Sequence, residues 1–288
     1  MEQDKQSFRD FIASEVKKYK GVAVPVWTGF LKRHLIKELP CRKLHPNPDD
    51  EFTFPDIGPN DGIISDYMEK IRHNQLYGVR IFEDPLIVQQ IRPDGYMLLN
   101  GHHRWAAAIR MNLAKVPVQI VNLTQAVDIK KMLQNSRNNK RATLDLDEVV
   151  FRPAQDELAE KALPFFVRRR YPEHLRLGIP ALFSYLNLHG YDIWVYSSDY
   201  HSLDHIRRLF LLYHVNVTGI VTGTGRKSKD PFMKKMDTMI AEHYPVTVHI
   251  DEKSVVRIEN SDFDEYQIAD SGAGWSAAVM DVIEKMKK

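Results

Sequence analysis

Cysteine is almost missing from this chain: Cys41 is the single one in 288 residues. A disulfide framework is therefore excluded, and a reducing, cytoplasmic setting is expected. No apolar run approaches the roughly 18 residues of a membrane-spanning helix, and no signal peptide is visible, so no membrane association is expected. Neither sign of charge dominates. The formal net charge is +2, too small to argue by itself for a polyanionic partner. The glycine-rich loop Gly-x-x-x-x-Gly-Lys-Ser/Thr does not occur, which removes the most familiar phosphate cradle of nucleotide enzymes. Internal repeats, heptads and low-complexity segments are also lacking. What is present is ordinary globular material, 43% hydrophobic and 27% charged, in a length that favours two domains.

The stretch Thr143-Leu144-Asp145-Leu146-Asp147-Glu148 carries the most chemistry. Asp145 and Asp147 close an apolar run, and at a strand's carboxyl end both can turn toward one ligand. Two carboxylates there repel unless a cation lies between them, and a hard ion such as Mg²⁺ suits oxygen ligands. Two further apolar runs end in polar groups: Tyr191 to Ser197-Ser198-Asp199, and Val246 to Asp251-Glu252. Between them Asp230-Pro231 reads as a helix start, with Lys227 and Lys229 just before it and Lys234 and Lys235 just after. Strands that each deposit an acid or hydroxyl at the carboxyl edge, with helices between, describe an open parallel sheet whose ligands bind at that edge.

This order resembles the haloacid dehalogenase (HAD) superfamily of phosphohydrolases, over roughly residues 142–288. The short intervals between Asp145, Ser197 and Asp251 leave little room for a large cap. The sequence departs from the family's Asp-x-Asp-Gly-Thr, reading Glu148-Val149 instead, and its last motif is Asp-Glu rather than a double Asp. The resemblance implies that Asp145 attacks phosphorus to form an aspartyl-phosphate while Asp147 moves the protons. It implies Mg²⁺ as cofactor among Asp145, Asp147, Asp251 and Glu252, with Ser197 and Lys229 on the phosphoryl oxygens. Lys227, Lys234 and Lys235 compete with Lys229 for that role.

The amino-terminal half holds an independent signal. Leu86–Ile91 reads as a strand, Asp94-Gly95 as a hairpin turn and Tyr96–Leu99 as its partner. Asn100-Gly101 then leads into a helix from about His103 to Met111, with a strand at Val116–Val121. Gly101 permits a tight strand-to-helix turn, and the N–H groups of a helix start favour an anion. His102, His103 and Arg104 would add donors and positive charge there. The segment resembles the ParB/sulfiredoxin fold, whose Gly-x-x-Arg turn binds nucleotide phosphates. Sulfiredoxins place a catalytic Cys in this turn, and here two histidines stand instead, closer to the free-serine kinase branch and to ParB-like nucleotide-binding proteins. The resemblance implies ATP or another nucleotide as ligand. For a phosphoryl transfer, Asp61, Asp66, Glu69 and Glu83 remain open as the base.

The expected fold class is α/β: a small α+β ParB/sulfiredoxin-like domain over 1–136, then a Rossmann-like parallel-sheet HAD domain with minimal cap over 137–288. Helices are expected at about Ser7–Tyr19, Ser65–Asn74, Ala126–Asn135 and from Trp275 on. Residues 55–62 read as an irregular loop beside the Gly-His-His-Arg turn. The basic run Arg137–Arg141 reads as an interdomain linker, and Arg168-Arg169-Arg170 as a helix's polar end. Two functions of different class follow. One is a Mg²⁺-dependent phosphatase with a nucleotide-binding first domain that could serve a second, kinase-like transfer. The substrate would be a phosphorylated small molecule, a nucleotide or a nucleic-acid end. The other is a nucleotide-gated binding or regulatory protein with a weak or inactive HAD-like domain. Oligomeric state is not encoded in any pattern seen here.

Overall fold

The computed structural model describes residues 2–153, 155–224, 231–259 and 262–286. The chain divides into two compact units, Met1–Asn122 and Leu123–Lys288. In the first unit α1 (Glu2–Tyr19) precedes β1 (Val24–Pro25), α2 (Phe30–Leu35), β2 (Glu38–Pro40), β3 (Leu44–His45) and α3 (Asp61–Leu76). A hairpin of β4 (Leu86–Arg92) and β5 (Tyr96–Asn100) follows, then α4 (His102–Arg110) and β6 (Lys115–Ile120). The six strands form one mixed sheet in the order β2-β6-β4-β5-β3, with β1 paired antiparallel to β4. Gly95 makes the hairpin possible: its φ is +76°, and a Cβ there would lie 2.3 Å from His45 Nε2. Asn60 starts α3 by accepting from the N–H groups of Gly62 and Ile63, so this helix begins earlier than the apolar pattern suggests.

The second unit starts with α5 (Ala126–Gln134) and β7 (Lys140–Asp145), which ends in a π-type turn over Leu146–Val150. A small insertion holds β8 (Phe151–Arg152), α6 (Phe165–Arg168) and β9 (His174–Leu175). After it come α7 (Ile179–Leu188), β10 (Tyr191–Ser197), α8 (Leu203–Leu212), β11 (Gly219–Thr222) and α9 (Pro231–His243). The chain closes with β12 (Val246–Ile250), β13 (Ser254–Glu259), β14 (Asp262–Gln267) and α10 (Trp275–Lys285). The sheet runs β11-β10-β7-β12-β13-β14, with the first four strands parallel and the last two antiparallel. β7 therefore lies between the two other strands whose ends carry the polar motifs. The architecture is mixed α/β, with both parallel and antiparallel pairing, rather than a purely parallel sheet.

Two boundaries differ from expectation. The units part after Asn122 and not at 136, because α5 sends Ile129 and Met132 into the second unit's core, packing against α9 and β11. The basic run Arg137–Arg141 is no linker. Asn138 donates to Asp192 at 2.9 Å, and Lys140 and Arg141 open β7 in register with Val246 and Thr247 of β12. Trp275, Val279, Val282 and Ile283 of α10, the helix expected from Trp275 on, are buried in the same core.

Candidate functional site

In the first unit, the strand-to-helix turn at Gly101 is built for close approach. Gly101 has φ +94° and caps α4, and no side chain fills the cap. A Cβ at this position would meet Leu86 Cδ2 at 2.4 Å. The first-turn N–H groups of α4 thus point out of the helix with no carbonyl one turn earlier to accept them. Arg104 stands beside them, donating from Nη1 to the Asp84 carbonyl at 2.5 Å and lying 6.0 Å from the Phe82 ring centroid.

The histidines of this turn act differently from the expectation of added donors and charge. His102 is buried, and its Nε2 accepts the Asn47 N–H at 3.2 Å. His103 Nε2 accepts the Asn60 N–H at 3.2 Å. Both rings pack on Phe52, at 5.4 Å and 5.1 Å between centroids. Burial pushes the His102 pKa down to about 4, against the pull of Asp50, whose Oδ2 lies 3.4 Å from Nδ1. Burial lowers His103 as well. Near neutral pH both rings are uncharged acceptors, and Arg104 alone of the three carries a charge. Their work is to tie the loops before Phe52 and before α3 to the turn, so residues 55–62 do lie beside it. Asn47 and Asp50 escaped the sequence reading because their partner His102 is far away in the chain. Among the carboxylates left open as a base, Asp61 is held by Arg110 at 2.7 Å. Cys41 is buried, its thiol pushed up to about 11 by that burial, so it is no nucleophile near neutral pH.

In the second unit, Asp145, Asp147 and Ser197 meet at the carboxyl ends of adjacent parallel strands. Asp145 Oδ1 accepts from the N–H groups of Asp147 at 2.7 Å and Glu148 at 2.9 Å, which fixes the turn after β7. The Asp147 carboxylate accepts from buried Ser197 Oγ at 2.9 Å and from the Ser198 N–H at 2.9 Å. His201 Nε2 lies 3.4 Å from it. Burial tends to raise the Asp147 pKa, but the bonds from His201, Ser197 and the Asp199 N–H outweigh it and hold the group low. His201 is raised in turn: burial disfavours its charge, yet the bond to Asp147 and the charges of Glu173, Asp147 and Asp199 prevail. Glu173, itself bonded to His205 at 3.0 Å, stands 4.0 Å from His201 Nδ1.

Asp145 and Asp251 line one cleft of about 540 Å³ with Glu148, Thr143, Arg141, Tyr196, His249 and Asp237. Glu252 turns elsewhere, bonded to Arg152 at 2.7 Å with buried Arg176 at 3.7 Å. The expected set of Asp145, Asp147, Asp251 and Glu252 is therefore not gathered around one point. Among the described residues, the group whose metal-capable atoms all fall within 4.8 Å of one another is Asp147, Asp199 and His201. Of these, Asp199 and His201 were not anticipated, although both stand within four residues of Ser197. For a hard cation, the all-oxygen donors Asp145 and Asp251, facing one cleft, are the better chemical fit. Lys227 and Lys229 lie outside the described residues, as does the side chain of Lys234, and Lys235 is exposed on α9.

Residues 31–137 match the family model described as the ParB N-terminal domain. No curated protein matches the chain. Among solved structures, the chain is similar to the C-terminally truncated chromosome-partitioning protein ParB from Caulobacter crescentus. One such structure, complexed with CTP-gamma-S, is 27% identical over 34% of this chain and 51% of that one, with a TM-score of 0.25. Another, complexed to the centromeric parS site, is 27% identical over 35% of this chain and 47% of that one, with a TM-score of 0.23. The chain spans about half the length of these matched structures. The matched segment contains the Gly101–Arg104 turn and the loops that brace it, and it ends before β7. No helix among the described residues is long and apolar enough to cross a membrane.

Proposed function

We propose that this chain is a nucleotide-binding protein whose first unit takes the phosphates of a nucleotide at the start of α4. The observation that carries this reading is the left-handed, side-chain-free cap at Gly101. It leaves the N–H groups of α4 open beside the Arg104 guanidinium, within a segment matching the ParB N-terminal domain. Such a helix start attracts phosphate through oriented N–H groups and the helix dipole together. His102 and His103 would stay neutral and hold the surrounding loops in place. Calorimetric titration with ATP, CTP and GTP tests the reading, CTP included because an analogue of it accompanies the Caulobacter protein. Arg104→Ala should weaken binding by ~10-fold or more. Unchanged affinity would leave the turn a structural one.

A second reading, hydrolysis of a phosphate monoester in the second unit, is favoured by the convergence of Asp145, Asp147, Ser197 and Asp251 at the carboxyl edge of one sheet. In that reading Asp145 is the nucleophile, and its Oδ1 bonds to two N–H groups hold the carboxylate in place. Asp147, with Ser197 and His201 around it, would exchange the protons. Mg²⁺ would be held by Asp145, Asp251 and a main-chain carbonyl near Asp147, and would neutralise the phosphoryl oxygens. The corresponding test is p-nitrophenyl phosphate turnover with Mg²⁺. Asp145→Asn should abolish it, whereas Arg104→Ala should leave it intact. Equal rates for wild type and Asp145→Asn would leave nucleotide binding as the sole function proposed here. Adding the tightest nucleotide to the same assay tells whether the first unit regulates the second.

A further inference from the structure

The cleft at Asp145 continues along one face of the sheet, and its chemistry changes from end to end. Alternation along β7 puts Arg141, Thr143 and Asp145 on the same face. Strand register sets Thr247 beside Arg141, His249 beside Thr143 and Tyr196 beside Asp145. The rim is therefore acidic, with Asp145, Glu148 and Asp251. The middle is neutral, where Thr143 Oγ1 is bonded to His249 Nδ1. The far end carries the cation Arg141, with buried Asp192 in register beside it and that carboxylate taken by Ser136, Asn138 and Tyr244. Arg141 is half-buried, and among the described residues its hydrogen bonds end on neutral oxygens: Thr247 Oγ1 at 2.8 Å and the Tyr196 hydroxyl at 3.0 Å. Asp237 of α9 lines the same cleft, and the Arg141 charge acts on it.

From this gradient we infer that the cleft selects a small phosphate monoester carrying a second anionic group, which Arg141 receives while the phosphate lies at the acidic, metal-binding rim. The inference rests on the hydrolytic reading for the role of the rim. The span is set by the strand. Arg141 and Asp145 are four residues apart, about 13 Å between Cα atoms. Arg141 Nη1 donates to the hydroxyl of Tyr196, whose Cα pairs with Asp145, which keeps the guanidinium within a tyrosine side chain's reach of the rim. The two anions of the ligand would thus lie about 6–10 Å apart. A cleft of about 540 Å³ is the size of an ordinary small-molecule site, which favours a metabolite over a polymer end.

Linear alkane bisphosphonates of increasing length provide the test, because they cannot be hydrolysed and carry nothing except two anions and a spacer. Titrated calorimetrically into the full chain with Mg²⁺, they should bind best with about four to six methylenes, well above a monophosphonate of equal length. Arg141→Gln should erase that optimum, a loss of ~10-fold or more, and leave monophosphonate affinity unchanged. Asp237→Asn, which removes a competing carboxylate, should strengthen the optimum, a gain that a damaged fold cannot imitate. Affinity independent of length, or an optimum that survives Arg141→Gln, would overturn the inference. Because no turnover is read, these outcomes are distinct from a failure of p-nitrophenyl phosphate hydrolysis.

Discussion

At the scale of single residues, His102 shows how burial changes what a side chain offers. An exposed histidine at a helix start would be a donor and a partial cation. Here Nε2 accepts from Asn47, and the buried ring can take a proton there only by giving up that bond. The folded-state pKa, about 4 against 6.5, lies below the unfolded value, so the unfolded chain binds the proton first as pH falls. The stability this residue supplies is complete above pH 6.5 and is lost progressively toward pH 4, about 3 kcal/mol in all. Burial lowers His103 in the same direction. His102→Gln keeps a neutral acceptor for the Asn47 N–H and should flatten the fall of the first unit's urea midpoint over that window. A slope equal to wild type would place the acid sensitivity elsewhere. His201 has the opposite sign: its raised pKa gives stability that is present at low pH and lost as pH rises through the folded value.

At the scale of elements, the second unit is organised by how closely β11 approaches β10. Gly219 pairs with Trp194, and a Cβ on Gly219 would lie 2.1 Å from the indole. The indole is fully buried and donates to the Tyr244 hydroxyl at 2.9 Å, so it cannot swing aside. Gly219→Ala should cost about 1–3 kcal/mol by overpacking. Most of that cost should vanish in a Trp194→Leu background, as a double-mutant cycle in urea would measure. Additive effects would mean that β11, not the indole, resists the methyl group. Elements of this kind differ in how far the sequence reveals them. The Asp94-Gly95 hairpin, the Gly101 turn and the strands ending at Asp145, Ser197 and Asp251 are legible because local chemistry writes them. Turn residues sit where φ must be positive, and apolar runs stop abruptly at acids or hydroxyls. The antiparallel addition of β13 and β14 is not legible, since their polar alternation reflects a sheet margin and not a core. Arg141 was hidden by its neighbours: inside Arg137–Arg141 it looks like one charge in a solvated run, and only the register with Thr247 and Asp192 puts it in a cleft. Glu252 was misread for the converse reason. Its partners Arg152 and Arg176 come from a distant insertion, so nothing adjacent to Asp251 separates a metal ligand from an ion-pair member.

At the scale of the molecule, each unit owns a hydrophobic core, one gathered around Leu86, Leu98 and Trp105 and the other around Leu144, Trp194 and Val248. Two independent cores imply two parts able to fold separately, and the position of the seam decides which fragments do so. The family match runs to residue 137, whereas the second core already includes Ile129 and Met132 of α5. Thr124 adds a polar tie to the same unit, its Oγ1 donating to the Ile220 carbonyl at 3.0 Å. A fragment of residues 123–288 should therefore unfold cooperatively on its own. Shortening it to 137–288 removes both apolar side chains and this bond, uncovering the part of the core beside β11 and α9 that they cover. Burial of two such side chains is worth about 3–6 kcal/mol, a large share of the ~5–15 kcal/mol that holds a typical domain folded. The shorter fragment should show a much lower denaturant midpoint, or no cooperative transition at all. Equal midpoints for the two fragments would return the seam to residue 136 and make α5 part of the first domain.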